Sequence, residues 1–431
     1  MSYWRMIWNG IRRQLWWKTV TYGLLGLFAA LMAIGAERFL PFNIPFDISR
    51  DAVSNLLGII SSSMLAVTTF SIGAMTTAFG AASSGVTPRA TMLLQEDSVT
   101  HNALSSFIGA FVFSVIGTIV LTTGSYGERG RVVLFAITIV VLGMIVVQLL
   151  RWVNHLMNFG RSSSTIQRVE AAAAAELEAR LSIPYLGAHP WPAQMPPPEG
   201  ARPVLAGKIG YLKFMDIAGL STICEEVGLE IYMPCNTGTL LYEDTALAWF
   251  TGNLTSELSA QIHENFILAP IRSFEQDPRF GLIVMAEIGS RALSSATNDA
   301  GTAIEIITRL TRLLAIWSKG REDEPVTYPR LHLRPLSDAD LFDDAFLIMG
   351  RDGAHLLEVQ LRLQKSLAAL GRMGSRHFRQ AAADHARLLM IRAEASTMLP
   401  ADLALLRGTI EQVDAGQRFG VAEARGQANQ A

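Results

Sequence analysis

The chain has 431 residues, half of them hydrophobic and only 17% charged, with a formal net charge of −2 and a mean hydropathy of +0.28. That composition excludes an ordinary water-soluble protein, and a near-zero charge without any Lys/Arg run excludes a nucleic-acid binder. Cys224 and Cys235 have no second Cys or His at metal-ligand spacing, which points to reduced thiols; no metal centre and no cofactor are expected.

A bilayer core of about 30 Å is crossed by about 20 apolar residues in a helix. Four stretches meet that length, at 19–40, 52–84, 103–124 and 131–151, and they define an α-helical membrane domain over residues 1–160. The first is too long an apolar run for a signal peptide and lacks a small-residue cleavage site, so it reads as a retained span. Arg5, Arg12, Arg13 and Lys18 precede it, and Arg151, Arg161 and Arg168 follow the last span. By the positive-inside rule both termini are expected in the cytoplasm, as in a multi-pass protein of a bacterial inner membrane. The two arginines of "GSYGERGR" are a small contrary signal. Trp4, Trp8, Trp16, Trp17 and Trp152 fit an interfacial aromatic belt.

The second span is unusually polar for a membrane helix. At about 100° per residue, Ser62, Ala66, Thr69, Gly73, Thr76, Gly80 and Ser84 fall on one side of it, with Leu57, Met64, Leu65, Ile72, Met75 and Phe79 broadly opposite. The third span repeats the pattern with Ser106, Ala110, Ser114 and Thr118, whereas the fourth is bulky throughout. Spans two and three are thus expected to be internal and span four to face lipid. A small, hydroxylated face serves either close helix packing or the wall of a hydrated ion pathway. No Asp, Glu, Lys or His lies in the middle of a span, which removes a proton relay or coupled pump. Pro88 disfavours a helical Thr87, so the span should break there. Pro88 and Arg89 then stand at the inner mouth, where Arg89 anchors to headgroups or sets a positive potential.

Beyond the spans, residues 164–181 read as a helix, and the proline-rich text up to residue 203 cannot be helical. Residues 161–203 therefore form a helix and a linker or extended arm. An α+β cytosolic domain, mostly helical toward its end, follows over 204–431. It opens with a strand, a helix and further strands around the turn signals Pro234 to Gly238. Helical text runs from about 255 to 318, an extended stretch "VTYPRLHLRP" follows, and Ser337 with Asp338 and Asp340 starts the last helices.

Several stretches are distinctive in combination: "AASSGVTPR", "WVNHLMNFGRSSSTIQRV", "AGKIGYLKFMD" and "SFEQDPRFGLIVMAEIGSRALSSATNDAGTAIEIITRL". Together they resemble the bacterial predicted-membrane-protein family built on domain of unknown function 2254 (DUF2254). The resemblance covers most of the chain and implies this architecture without an established activity. The chain departs from the family pattern at Asn154, which stands with His155 where two His are usual. It departs again at Ser295 and Ala300, which stand where prolines are usual.

The last of these motifs holds the most suggestive polar set: Asp277, Arg279, Glu287, Arg291, Asn298, Asp299 and Thr302. Glu287 and Arg291 have the i, i+4 spacing of a helical ion pair, and Asn298 or Asp299 can cap a helix running to Trp317. The set fits buried groups that fix the domain or a subunit interface, or alternatively a small-ligand or ion sensor. Enzyme motifs are thin. In "GARPVLAGKI" six residues separate Gly200 from Gly207 where a phosphate loop has four, and Ile209 replaces its Ser/Thr. His377 and His385 are two turns apart, too far for chelation by one helix, and His155 suits a structural or interfacial role or a pH switch. The expected protein is a homo-oligomeric, ion-channel-like membrane protein, with span 52–84 lining the pathway and the cytosolic domain gating or assembling it. Its partners are the lipid bilayer, further copies of itself, and ions. The alternative is a membrane-anchored sensor or scaffold without a pore.

Overall fold

The computed structural model describes residues 48–95, 97–123, 128–158, 161–252, 255–320 and 325–414, with a few single positions before residue 33. The span expected at 19–40 falls largely outside them. The chain divides into two compact units, one within residues 4–165 and one from residue 166 onward.

The first unit contains helices α1 (Arg50–Gly85), α2 (Pro88–Gln95), α3 (Ser98–Thr122) and α4 (Glu128–Asn158). Among the described residues, three segments are long and apolar enough to cross a membrane: Arg50–Ala81, Val99–Thr122 and Gly130–Met157. The break after α1 falls where Pro88 dictates. Thr87 Oγ1 accepts the Ala90 N–H at 3.3 Å, and Pro88 takes the first position of α2, where a missing N–H costs nothing. On α1 the buried residues are Val53, Leu57, Ile60, Met64, Thr68 and Ser71, a single stripe at three- and four-residue spacing. One end of it packs with Phe113, Leu121 and Leu134, and the next part with Ala103, Phe107, Ala110, Ile145 and Trp152. α4 leaves Val140, Met144, Val147 and Leu150 exposed, as a lipid-facing helix would. α1 departs from the expectation of an internal span, since Leu65 and Ile72 are 54% and 51% exposed. The reason is that α3 and α4 meet it along one stripe only.

The second unit begins in α5 (Ser162–Ser182) and continues through strands β1 (Ala188–Pro190), β2 (Arg202–Leu205) and β3 (Gly210–Met215), then α6 (Ile217–Val227). Strands β4 (Ile231–Met233), β5 (Leu240–Leu241) and β6 (Ala246–Phe250), helix α7 (Ser256–Glu264) and strand β7 (Phe266–Ala269) follow. Next come α8 (Phe280–Ala292), α9 (Ala300–Trp317), β8 (Tyr328–Leu333) and α10 (Asp338–Phe342). After a π-helical turn over Asp343–Leu347 the chain ends in α11 (Ile348–Asp352), α12 (Leu357–Leu370), α13 (Arg376–Glu394) and α14 (Pro400–Asp414). One sheet has the order β1-β8-β4-β6-β2 and the other β5-β3-β7. β8 runs parallel to β1 and β4, and the remaining pairs are antiparallel. Their core includes Leu212, Leu220, Ile231, Leu247, Phe250 and Leu331.

The helical text expected over 255–318 is interrupted by β7, which pairs with β3 through Tyr211↔Ala269 and Leu212↔Leu268. Four apolar residues between Asn265 and Pro270 are too few to display a period, so the strand shows itself only through its distant partner. The proline-rich segment starts as an ordered arm: the Trp191 N–H bonds the Leu333 carbonyl at 2.9 Å, and the indole is 1% exposed. α9 is amphipathic, capped by Asp299 and burying Ala303, Ile306, Leu310, Leu313 and Trp317 along one face. At Gly281, α8 approaches α5 so closely that a Cβ would strike the Ala173 Cβ and lie 2.8 Å from its Cα. Gly281→Leu is therefore expected to cost about 1–3 kcal/mol or more, seen as a lowered midpoint of thermal unfolding in detergent. An unchanged midpoint would refute the crossing.

Candidate functional site

The small face of α1 lies opposite its buried stripe. Ser62, Ala66, Thr69, Gly73, Thr76 and Gly80 are all exposed, on the side of the helix turned away from α3 and α4. A Cβ added at Gly58, Gly73 or Gly80 would meet nothing within 4 Å. The hydroxyls are spent on the helix itself: Ser62 donates to the Gly58 carbonyl at 3.0 Å, Thr69 to Leu65 at 3.0 Å and Thr76 to Ile72 at 2.9 Å. Such back-bonding is the usual fate of Ser and Thr in a membrane helix. Ser84 lies in the last turn of α1, and Pro88 and Arg89 are exposed at the start of α2. In α3 the corresponding small residues turn inward, with Ala110 and Ser114 buried.

At the other end of that helix interface the structure joins two residues that sequence spacing did not connect. Asp97 caps α3, accepting the Thr100 N–H at 2.8 Å and the Thr100 hydroxyl at 2.5 Å. Its carboxylate also meets His155 Nε2 of α4 at 2.8 Å, with side-chain exposures of 16% for the imidazole and 6% for the carboxylate. Burial works against the charge on Asp97, but the bonds from His155 and Thr100 outweigh it and hold the carboxyl well below the usual carboxylate range. Trp152, one turn earlier on α4, is buried and packs against the His155 ring at 5.8 Å. The Asp-x-x-Thr spacing announces the cap; nothing in the sequence announces the histidine.

In the second unit the expected polar set separates. Asp277, 3% exposed, pairs with Arg272, through Nε and Nη2 at 2.9 Å each. It also accepts the backbone N–H groups of Arg279 at 3.2 Å and Phe280 at 3.1 Å. Arg279 reaches the other way, to Asp344 at 2.6 and 3.1 Å and to Asp340 at 2.6 Å. Burial pushes the Asp277 and Asp344 carboxyls up against the pull of their arginines. Between Asp277 and β3, Gln276 adopts φ 58°, and its side-chain amide pairs with both the N–H and the carbonyl of Met215 at 3.1 and 3.2 Å. Gly238, at φ 88°, approaches the Arg272–Asp277 pair so closely that a Cβ would collide with it.

These arginines, with Arg334, Cys235 and Asn236, border a cleft of about 300 Å³. Each guanidinium has its own partner, because Arg334 lies over the Trp191 ring at 4.5 Å. Burial pushes the Cys235 thiol up and Cys224 up to about 12, the opposite of an activated thiolate. The arrangement is suited to fixing loops. Of the remaining expected residues, Glu287 lines a separate cleft with Asp343, Arg351 and Arg392, and Arg291 is exposed. Asn298 sits at φ 49°, and Asp299 caps α9 through Thr302 at 2.9 and 2.6 Å. Arg272, Asp340 and Asp344 are the members that sequence reasoning missed.

Three membrane-length apolar helices followed by a large α+β unit define an integral membrane protein of mostly helical build. The chain belongs to the predicted membrane protein family DUF2254, whose model matches residues 12–369. It is 28% identical over 126 residues to an uncharacterized protein of Mycobacterium bovis and, equally, to one of Mycobacterium tuberculosis. Each match covers 28% of this chain and 24% of the relative, so the chain spans about a quarter of the length of the curated relatives it matches. No solved structure matches it.

Proposed function

We propose that the protein is a homo-oligomeric, channel-like protein of the bacterial inner membrane, in which the small face of α1 lines a shared pathway and the α+β unit, on the cytoplasmic side, assembles or gates it. The observation that carries this reading is the direction of that face. Ser62, Thr69, Gly73 and Thr76 are exposed on the side of α1 opposite the stripe packed on α3 and α4. A face of small and hydroxyl residues, with room at its glycines, suits an axis shared between copies. A scaffold without a pore is the second reading, favoured by the hydroxyls bonded to their own carbonyls, which lets the same face pack dry.

Planar-bilayer recording of the purified protein separates the two. Wild type is expected to conduct, and Gly73→Leu to abolish or alter the current. Open space at Gly73 accommodates the leucine within one copy, so the loss would not be a folding defect. A wild type silent under voltage, tension and pH change, together with a Thr76→Cys variant that cross-links between copies, would leave the scaffold.

A further inference from the structure

Between α3 and α4 runs an open groove of about 590 Å³. Its walls are apolar, with Ala110, Phe113, Ile137 and Met144 contributing, and Gly143 leaves a gap where a Cβ would touch nothing within 4 Å. Polarity changes along its length. The end nearest the close of α4 is formed by Gln148 and Arg151, and Arg151 is exposed and has no hydrogen bond or ion pair among the described residues. From Ile137 to Arg151 the helix rises about 21 Å, comparable with the extended length of a long acyl chain.

Water gains nothing from an apolar groove opening toward hydrocarbon, so its occupant must itself be apolar along most of its length. A guanidinium without a partner at the membrane boundary adds a second requirement, a negative group at one end, and basic pockets between membrane helices meet it with lipid headgroups. The basic residues after the last span assign this end to the cytoplasmic leaflet. We infer that the groove is a specific site for one anionic phospholipid, its acyl chain lying between α3 and α4 and its phosphate held by Arg151 with the Gln148 amide beside it. Arginine suits this role because its planar donor fork matches phosphate oxygens in pairs. The site is independent of the pore reading, since it lies between two helices of one chain and needs no axis.

Native mass spectrometry of the full chain in detergent tests it, with phosphatidylglycerol and phosphatidylcholine of identical sixteen-carbon chains as probes. Wild type is expected to retain one phosphatidylglycerol in preference to phosphatidylcholine. Arg151→Gln should reduce that preference by about tenfold or more, while Arg151→Lys keeps most of it. Gly143→Leu should fill the groove and remove the bound lipid of either kind, with an unchanged thermal midpoint as the control for folding. Equal retention of both lipids by wild type overturns the proposal, as does retention unaffected by Gly143→Leu. Cross-linking of Met144→Cys to a second copy or to residues 19–40 would also overturn it, by identifying a protein occupant.

Discussion

Asp277→Ala lowers the unfolding free energy of the α+β unit by about 3–5 kcal/mol, the range for breaking a buried ion pair from one side. The carboxylate is 3% exposed and faces Arg272, itself 16% exposed, so its removal leaves a guanidinium without its bonded counter-charge and with poor access to water. It also takes the carboxylate acceptor from the backbone N–H of Arg279 and leaves that of Phe280, the first residue of α8, only its longer bond to the backbone carbonyl of residue 277. Asp277→Asn retains an acceptor oxygen and should cost less. The check is denaturant unfolding in detergent with near-ultraviolet dichroism as the probe. Equal stability of wild type and alanine variant would mean that the pair contributes nothing net, as many exposed ion pairs do.

Asp97→Ala is expected to cost roughly 2–4 kcal/mol in the membrane unit, combining a lost N-cap with a broken, largely buried contact to His155. Thermal unfolding of the purified protein reads the loss. His155→Ala should cost part of the same free energy and the double variant less than the sum, since the two side chains share one contact. The pH dependence has a definite sign. Because the folded carboxyl titrates below its unfolded value near about 4, the stabilisation is fully present above that value and fades as pH falls through the folded one. Mild acid down to about pH 5 should therefore leave the Asp97 contribution intact, and a variant-to-wild-type difference already lost there would contradict the geometry.

What could be read in the sequence was local. The three described spans, the break at Pro88 and the caps at Asp299 and Ser337 each depend on residues within a few positions of one another, where periodicity and capping chemistry act. The small face of α1 was legible as a face, but which neighbour it turned from was not, because an angular pattern carries no information about the partner. The ion-pair network is the opposite case. Asp277 and Arg279 were visible as a polar set, yet Arg279 bonds residues 61 and 65 positions away, and only the packing of α10 and the π-helical turn beside α8 brings those acids within reach. β7 was hidden for the same reason, its identity resting on β3.

The back-bonded hydroxyls of α1 set a condition on whatever meets that face. With the protons of Ser62, Thr69 and Thr76 committed to carbonyls of their own helix, these three positions present oxygen lone pairs and no O–H donor. They can coordinate a cation or receive a hydrogen bond, but they have nothing to offer an anion, so in this state the face favours positive charge whether its neighbour is an ion or a donor on another helix.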